Sequence, residues 1–126
     1  CNQADARRIF GIDAAPEQAI RLLAEQAGAK QVVMSLGEQG AFGWDGTTVY
    51  HQPALPVRII DRIGAGDALA SGVIHGWLDG DLDLGLRYGV ALAALALSQH
   101  GDAVITTPQE LAALLAQTHG SSTVMR

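Results

Sequence analysis

The stretch of this 126-residue chain that can do chemistry is Asp61-Arg62-Ile63-Gly64-Ala65-Gly66-Asp67-Ala68. It follows a β-branched, extended run from Pro53 to Ile60. It precedes small and apolar residues at 65, 68, 69, 72, 73, 76 and 77, the spacing of one helix face. Gly64, Ala65 and Gly66 therefore fall in the turn and the first helical positions. There the backbone N–H groups have no intrahelical acceptor and the positive end of the helix dipole faces outward. With little or no side chain, these residues let an anion come close to the donors, and phosphate is the usual occupant. Asp67, in the first turn, adds a carboxylate. Anion donors beside a carboxylate suit phosphoryl transfer: the donors take up charge from the moving group, and the carboxylate orients and deprotonates an attacking hydroxyl. A plain glycine-rich turn ahead of an acidic helix start would carry the same residues.

The elements that must position this turn are legible on either side of it. Asn2 suits a helix N-cap with Asp5 at the third helical position. Pro16 suits the first turn of a second helix that turns Ile20, Leu23, Ala24 and Ala27 inward and stops at Gly28. Gln31 to Leu36 reads as a buried strand running into the turn Gly37-Glu38-Gln39-Gly40. Ala41 to Trp44, the pair Asp45-Gly46 and Thr47 to His51 read as a hairpin with a two-residue turn. Past the glycine turn, a helix to about Leu78 gives way to an aspartate-rich connector with Asp83 near a cap. A helix from Leu84 to about Ser98, apolar on nearly all sides, belongs in an interior and ends by Gly101. Thr107-Pro108-Gln109-Glu110 is a capping box opening a last helix with Leu111, Leu114 and Leu115 inward. Alternating strands and helices imply layers.

The wording Asp61-Arg62-Ile63-Gly64-Ala65-Gly66-Asp67, extended through Leu69 and Gly72, resembles the D-x-x-G-A-G-D signature of the ribokinase-like (PfkB-type) carbohydrate kinases. The resemblance implies that Asp67 is the general base and that Gly64, Ala65 and Gly66 form the anion hole. Asn2-Gln3-Ala4-Asp5 is similar to the family's N-x-x-E motif, with Asp5 for Glu. It implies that Asn2 lies at the phosphates and that Asp5 helps hold Mg2+, partly through water. Ser35-Leu36-Gly37-Glu38-Gln39-Gly40-Ala41 is similar to the T-L-G-x-x-G-A segment that lies along ATP, with Ser35 for Thr. The segment around Gly101 is implied to close over the adenine. With Asp61 and the backbone of Ile63, it is also implied to bind a monovalent cation such as K+. The implied fold is a ribokinase-like three-layer α/β/α sandwich, of which residues 1–117 form the C-terminal, nucleotide-binding part and 118–126 a frayed tail. Most sugar contacts and the lid lie upstream in that family. The isolated chain is therefore expected to bind ATP weakly and not to turn over sugar. Within the family, DRIGAGDALASGVIHG and NQADARRIFG look most similar to 2-keto-3-deoxygluconate kinases, with fructokinase and ribokinase next. The implied partners are ATP and a sugar or sugar acid, in a homo-oligomer.

Composition narrows the alternatives. A net charge of −5 with scattered Lys and Arg argues against a nucleic-acid partner, and 48% hydrophobic content supports a real core. One cysteine, Cys1, leaves no internal disulfide framework and fits a reducing cytoplasm. The apolar run from Val90 to Leu97 is too short to span a bilayer, so no membrane role is expected. His51, His75, His100 and His119 share no ligand spacing, the Asp79 to Asp83 run lacks the Gly and Glu of a calcium loop, and no P-loop pattern occurs. Two readings remain. One is the catalytic part of an ATP-dependent sugar kinase. The other is a nucleotide-binding fragment or assembly module without catalysis.

Overall fold

The structure, a computed structural model, describes residues 1–118. Helices α1 (Gln3–Phe10) and α2 (Pro16–Ala27) precede an antiparallel meander of β1 (Val32–Ser35), β2 (Ala41–Trp44) and β3 (Val49–Gln52). Helices α3 (Ala65–Leu78), α4 (Leu82–Leu97) and α5 (Pro108–Leu115) follow. Register pairs Met34 with Phe42 and Trp44 with Val49. Directly paired residues share a face of a sheet. That face, with Met34, Phe42 and Val49, packs on Ala6, Ile12, Ala19, Ile20 and Leu23 of the α1–α2 layer. The opposite face carries Gly43, where a Cβ would come 3.0 Å from Leu86 and 3.2 Å from Leu82, so the missing side chain lets α4 settle on the sheet. Helix layer, sheet and helix layer make the three-layer α/β arrangement expected from the alternation of elements.

One helix start and one strand start differ from expectation. The hairpin loop has four residues, 45–48, and β3 begins at Val49. Asp45 Oδ1 accepts from the backbone N–H groups of Thr47 and Thr48 at 2.9 and 2.8 Å, a side-chain turn that outcompetes two further ladder residues. Helix α4 starts at Leu82, capped by Asp81 rather than Asp83, because Asp81 Oδ1 accepts from Leu84 N at 3.0 Å. The Pro53 to Ile60 run is extended but makes no ladder within the described residues. Pro53 and Pro56 remove two of its N–H donors. Ala27 is exposed, with Ala19 taking the inward place on α2. Asn2 caps α1 as anticipated, and Thr107 caps α5.

Thr118, placed at the start of a frayed tail by the sequence, is buried. Its Oγ1 accepts from Arg87 Nε at 2.7 Å, which ties the end of α5 to α4. His119 and the remainder of that tail lie outside the described residues. No helix among the described residues is long and apolar enough to cross a membrane.

Helices α3 and α4 meet backbone to backbone. A Cβ on Gly72 would lie 2.5 Å from Gly89 N, and one on Gly76 would overlap Gly85 N and Cα. Such contact leaves no room for even a methyl group, and the atoms met are backbone, which cannot swing aside. Gly76→Ala is therefore expected to destabilise the natural protein by at least about 1–3 kcal/mol, the usual scale of overpacking. Gly66→Ala, where a Cβ meets nothing within 4 Å, should stay within about 0.5 kcal/mol of the parent. Urea midpoints at constant m-value measure both. Equal midpoints for the two variants would show that the glycine contact does not hold the helices together.

Candidate active site

The glycine turn takes its form from Gly64. Its φ of 86° is left-handed, and a Cβ there would sit 2.9 Å from Asp102 O, so conformation and room both call for glycine. Gly64 is also the N-cap of α3, with no side chain accepting from the first turn, whereas Asn2, Asp81 and Thr107 cap their helices with side-chain oxygens. No side-chain cap takes the first-turn amides of α3, and Ala65 N makes only a long 3.5 Å bond to Arg62 O. Gly66 opens on free space, and Asp67 is exposed at the third helical position.

Against this turn lies a cavity of about 540 Å³ lined by Ala65 and Gly66 together with Ser35, Gly37, Glu38 and Gly40 from the β1–β2 connection. Two motifs distant in sequence thus share one concavity. Its remaining wall is largely apolar: residues 54–57 of the unpaired extended run on one side, and Ala93, Ala94 and Leu97 of α4 on the other. Those wall residues carry no motif. The missed signals were an apolar run interrupted by prolines and a helix apolar on more faces than a core contact requires.

The β1–β2 connection is a short 3-10 turn, Gly37–Gln39, closed by Leu36 N donating to Gly40 O at 2.8 Å. Gly40 has φ 90°, and a Cβ on it would overlap the Gln52 carbonyl and lie 2.6 Å from Ala54 N, so the turn presses directly on the chain leaving β3. His51 Nε2 donates to Gln39 O at 2.8 Å while its ring stacks on Phe42 at 4.3 Å. His51 was read from sequence as an ordinary polar residue. Here it braces the turn. Of the segment 35–40, Leu36 packs toward the core and Gln39 points its carbonyl at His51, while the other four residues face the cavity.

Asn2 is brought alongside by a parallel bridge to Ser35. Its Oδ1 accepts from Asp5 N at 2.7 Å and its Nδ2 donates to Asp5 Oδ2 at 3.1 Å, while Arg8 donates to Asp5 Oδ1 at 2.8 Å. Both Asp5 oxygens are therefore engaged, and neither Asn2 nor Asp5 lines the cavity.

Asp61, Ile63 and Gly101 come together although Asp61 and Gly101 are 40 residues apart. Asp61 Oδ1 accepts from Ile63 N at 2.9 Å and Oδ2 from Gly101 N at 3.0 Å. These donors, Ile63 first and Gly101 next, hold the carboxyl below the usual carboxylate range. Ile60 N and Asp61 N both donate to Leu97 O, which fixes the start of the turn to the end of α4.

Known proteins resemble this chain. A 2-dehydro-3-deoxygalactonokinase of Haloferax volcanii is 34% identical over 112 residues, 88% of this chain and 35% of its own length. The chain thus spans about a third of that relative. Among solved structures, Arabidopsis thaliana ribokinase complexed with ribose and ATP superposes with a TM-score of 0.79 at 25% identity, over 90% of this chain and 39% of that one. Escherichia coli phosphofructokinase-2 in complex with potassium gives 0.79 at 25% identity, over 92% and 39%. The two solved structures share the fold of this chain. The profile of the pfkB family carbohydrate kinases runs across residues 1–122, and to that family this chain belongs.

Proposed function

We propose that the cavity holds ATP and that the chain carries the nucleotide-binding and catalytic part of a kinase phosphorylating a hydroxyl of a sugar or sugar acid. The observation that carries this reading is the single cavity shared by Ser35 to Gly40 and by Ala65 and Gly66. A phosphate-binding helix start and an apolar slot together suit a nucleotide, charged at one end and flat at the other. The amides of Gly64, Ala65 and Gly66 take charge from the transferring phosphoryl group. Asp67 accepts the proton of the attacking hydroxyl, and its place beside Gly66 puts base and anion donors on one helical turn.

Asp5 suits a magnesium that arrives with the nucleotide. One carboxylate plus water and phosphate oxygens is the usual magnesium donor set, and two oxygens already engaged, Oδ2 by Asn2 and Oδ1 by Arg8, favour holding a metal-bound water over direct ligation. When bound, magnesium offsets triphosphate charge. The backbone around Asp61, Ile63 and Gly101, fixed by the Asp61 carboxylate, offers oxygens for a monovalent cation. The potassium complex of the phosphofructokinase-2 neighbour supports that assignment.

For the acceptor we propose a 2-keto-3-deoxy sugar acid, in line with the relative named for a 2-dehydro-3-deoxy sugar acid, over fructose or ribose. The natural full-length protein should phosphorylate 2-keto-3-deoxygluconate with a kcat/KM at least about tenfold above either sugar, a gap of about 1.4 kcal/mol. A preference for ribose or fructose in the same coupled assay would move it to the alternative.

Asp67→Asn in that protein should lower kcat by about 10²- to 10⁴-fold with ATP affinity near the parent value, because the amide keeps size and position but cannot take the proton. Gly66→Val should impair both ATP binding and kcat, since its side chain enters the open space that the phosphate would occupy. Steady-state kinetics and ATP titration without sugar separate the two effects. A near-normal kcat in Asp67→Asn would reduce Asp67 to a helix-start acid and remove the catalytic reading.

A further inference from the structure

A triphosphate brings several negative charges into a chain of net charge −5, with eight Lys and Arg residues in all. Most of these cations are spoken for or lie elsewhere. Arg7 pairs with Asp13 and Arg8 with Asp5, Arg21 lies over the Trp44 ring, and Arg87 donates to Thr118. Lys30 lines a separate shallow depression beside Arg21 and Trp44, and Arg126 lies outside the described residues. Arg58 is exposed and does not line the cavity. Arg62 does line it. It is the one cationic residue among the described residues that does, and Glu38 is the one anionic residue. Its guanidinium has no ion pair or hydrogen bond among the described residues, although its own backbone is fixed next to the Asp61 tie.

The position is also defined by the turn. Arg62 precedes the left-handed Gly64 by two residues, and its carbonyl accepts from Ala65 N at 3.5 Å, so its Cα belongs to the same turn as the anion-binding amides. A planar guanidinium on that turn can meet two phosphate oxygens at once, which a point-charge ammonium cannot. Neither the anion-donor reading of Gly64 to Gly66 nor the base reading of Asp67 uses this side chain.

We propose that Arg62 is the phosphate-gripping side chain of this site, holding the β- and γ-phosphates of the bound nucleotide over the glycine turn. The proposal rests on the nucleotide reading of the cavity. It gives the cation a task that scales with phosphate number: adenosine does not reach it, and ADP and ATP do so progressively.

The test measures adenosine, ADP and ATP affinity by calorimetry, and kcat, in the natural full-length protein and in Arg62→Gln, Arg62→Lys and Arg58→Gln. A charged hydrogen bond is worth enough that Arg62→Gln should weaken ATP by about 10- to 100-fold, ADP by less, and adenosine not at all. Arg62→Lys should fall between, keeping the charge without the fork. Arg58→Gln makes the same charge change on an exposed residue outside the cavity, where only about a few-fold effect is expected. Equal loss of adenosine and ATP binding in Arg62→Gln would make the residue structural and overturn the proposal. So would unchanged ATP affinity, or an ATP loss matched by Arg58→Gln. A parent protein that binds none of the three ligands overturns the nucleotide reading and this proposal together. Normal parent binding with an indifferent Arg62 overturns the proposal alone.

Discussion

Everything around the glycine turn depends on two helices touching through their backbones. Gly72 and Gly76 on α3 face Gly89 and Gly85 on α4 with no space for a β-carbon. Leu86 and Leu82 on α4 in turn come down on Gly43 of the sheet. Interiors of this density have no slack in which a helix can shift. The start of α3 is thereby held at a fixed height above the sheet, level with the turn that leaves β1. Had either helix carried ordinary side chains on that seam, the spacing would be that of a usual helix pair, about 8–10 Å between axes, and the turn would stand further from Ser35 and Gly40.

Asp61 does for the loops what the glycines do for the helices. Its two oxygens accept from Ile63 and Gly101, and the neighbouring amides of Ile60 and Asp61 reach the last carbonyl of α4. The entrance to the glycine turn and the exit from α4 are thus a single hydrogen-bonded corner. A carboxylate suits this work because it stays ionised when it accepts two N–H donors, and each donor favours the charged form further.

How far the sequence could be read depended on the range of the interaction. Caps and turns with a local partner were legible: Asn2 with Asp5, Thr107 with Glu110, the glycine turn ahead of an apolar helix. The start of the second hairpin strand and the cap of α4 were local too but were placed two residues early or late, at Thr47 for Val49 and at Asp83 for Asp81, because an aspartate can cap or turn wherever a nearby N–H is free. The β-branched run at 53–60, read as extended, pairs with no strand among the described residues for a different reason. β-branched residues favour extended backbone, but a strand also needs a partner, and propensity says nothing of that. The cavity walls and the bracing role of His51 rest on contacts between distant segments, as does the seam of glycines, which in sequence looks like an ordinary run of small residues. The glycine motif itself was legible as chemistry because its residues are consecutive.

The meander β1–β3 and the α3–α4 pair are each made of segments adjacent along the chain, with four residues between β2 and β3 and only 79–81 between the two helices. The units are joined by the packing of Leu82 and Leu86 on the sheet and by long-range hydrogen bonds, among them Asp61 to Gly101 across 40 residues and the Cys1 amine to Val33 O across 32. Short loops cost little entropy to close and long ones more, so topology orders the assembly: local units first, then the ties. The binding corner thus stands on contacts whose closure costs more chain entropy than that of the helix pair or the meander.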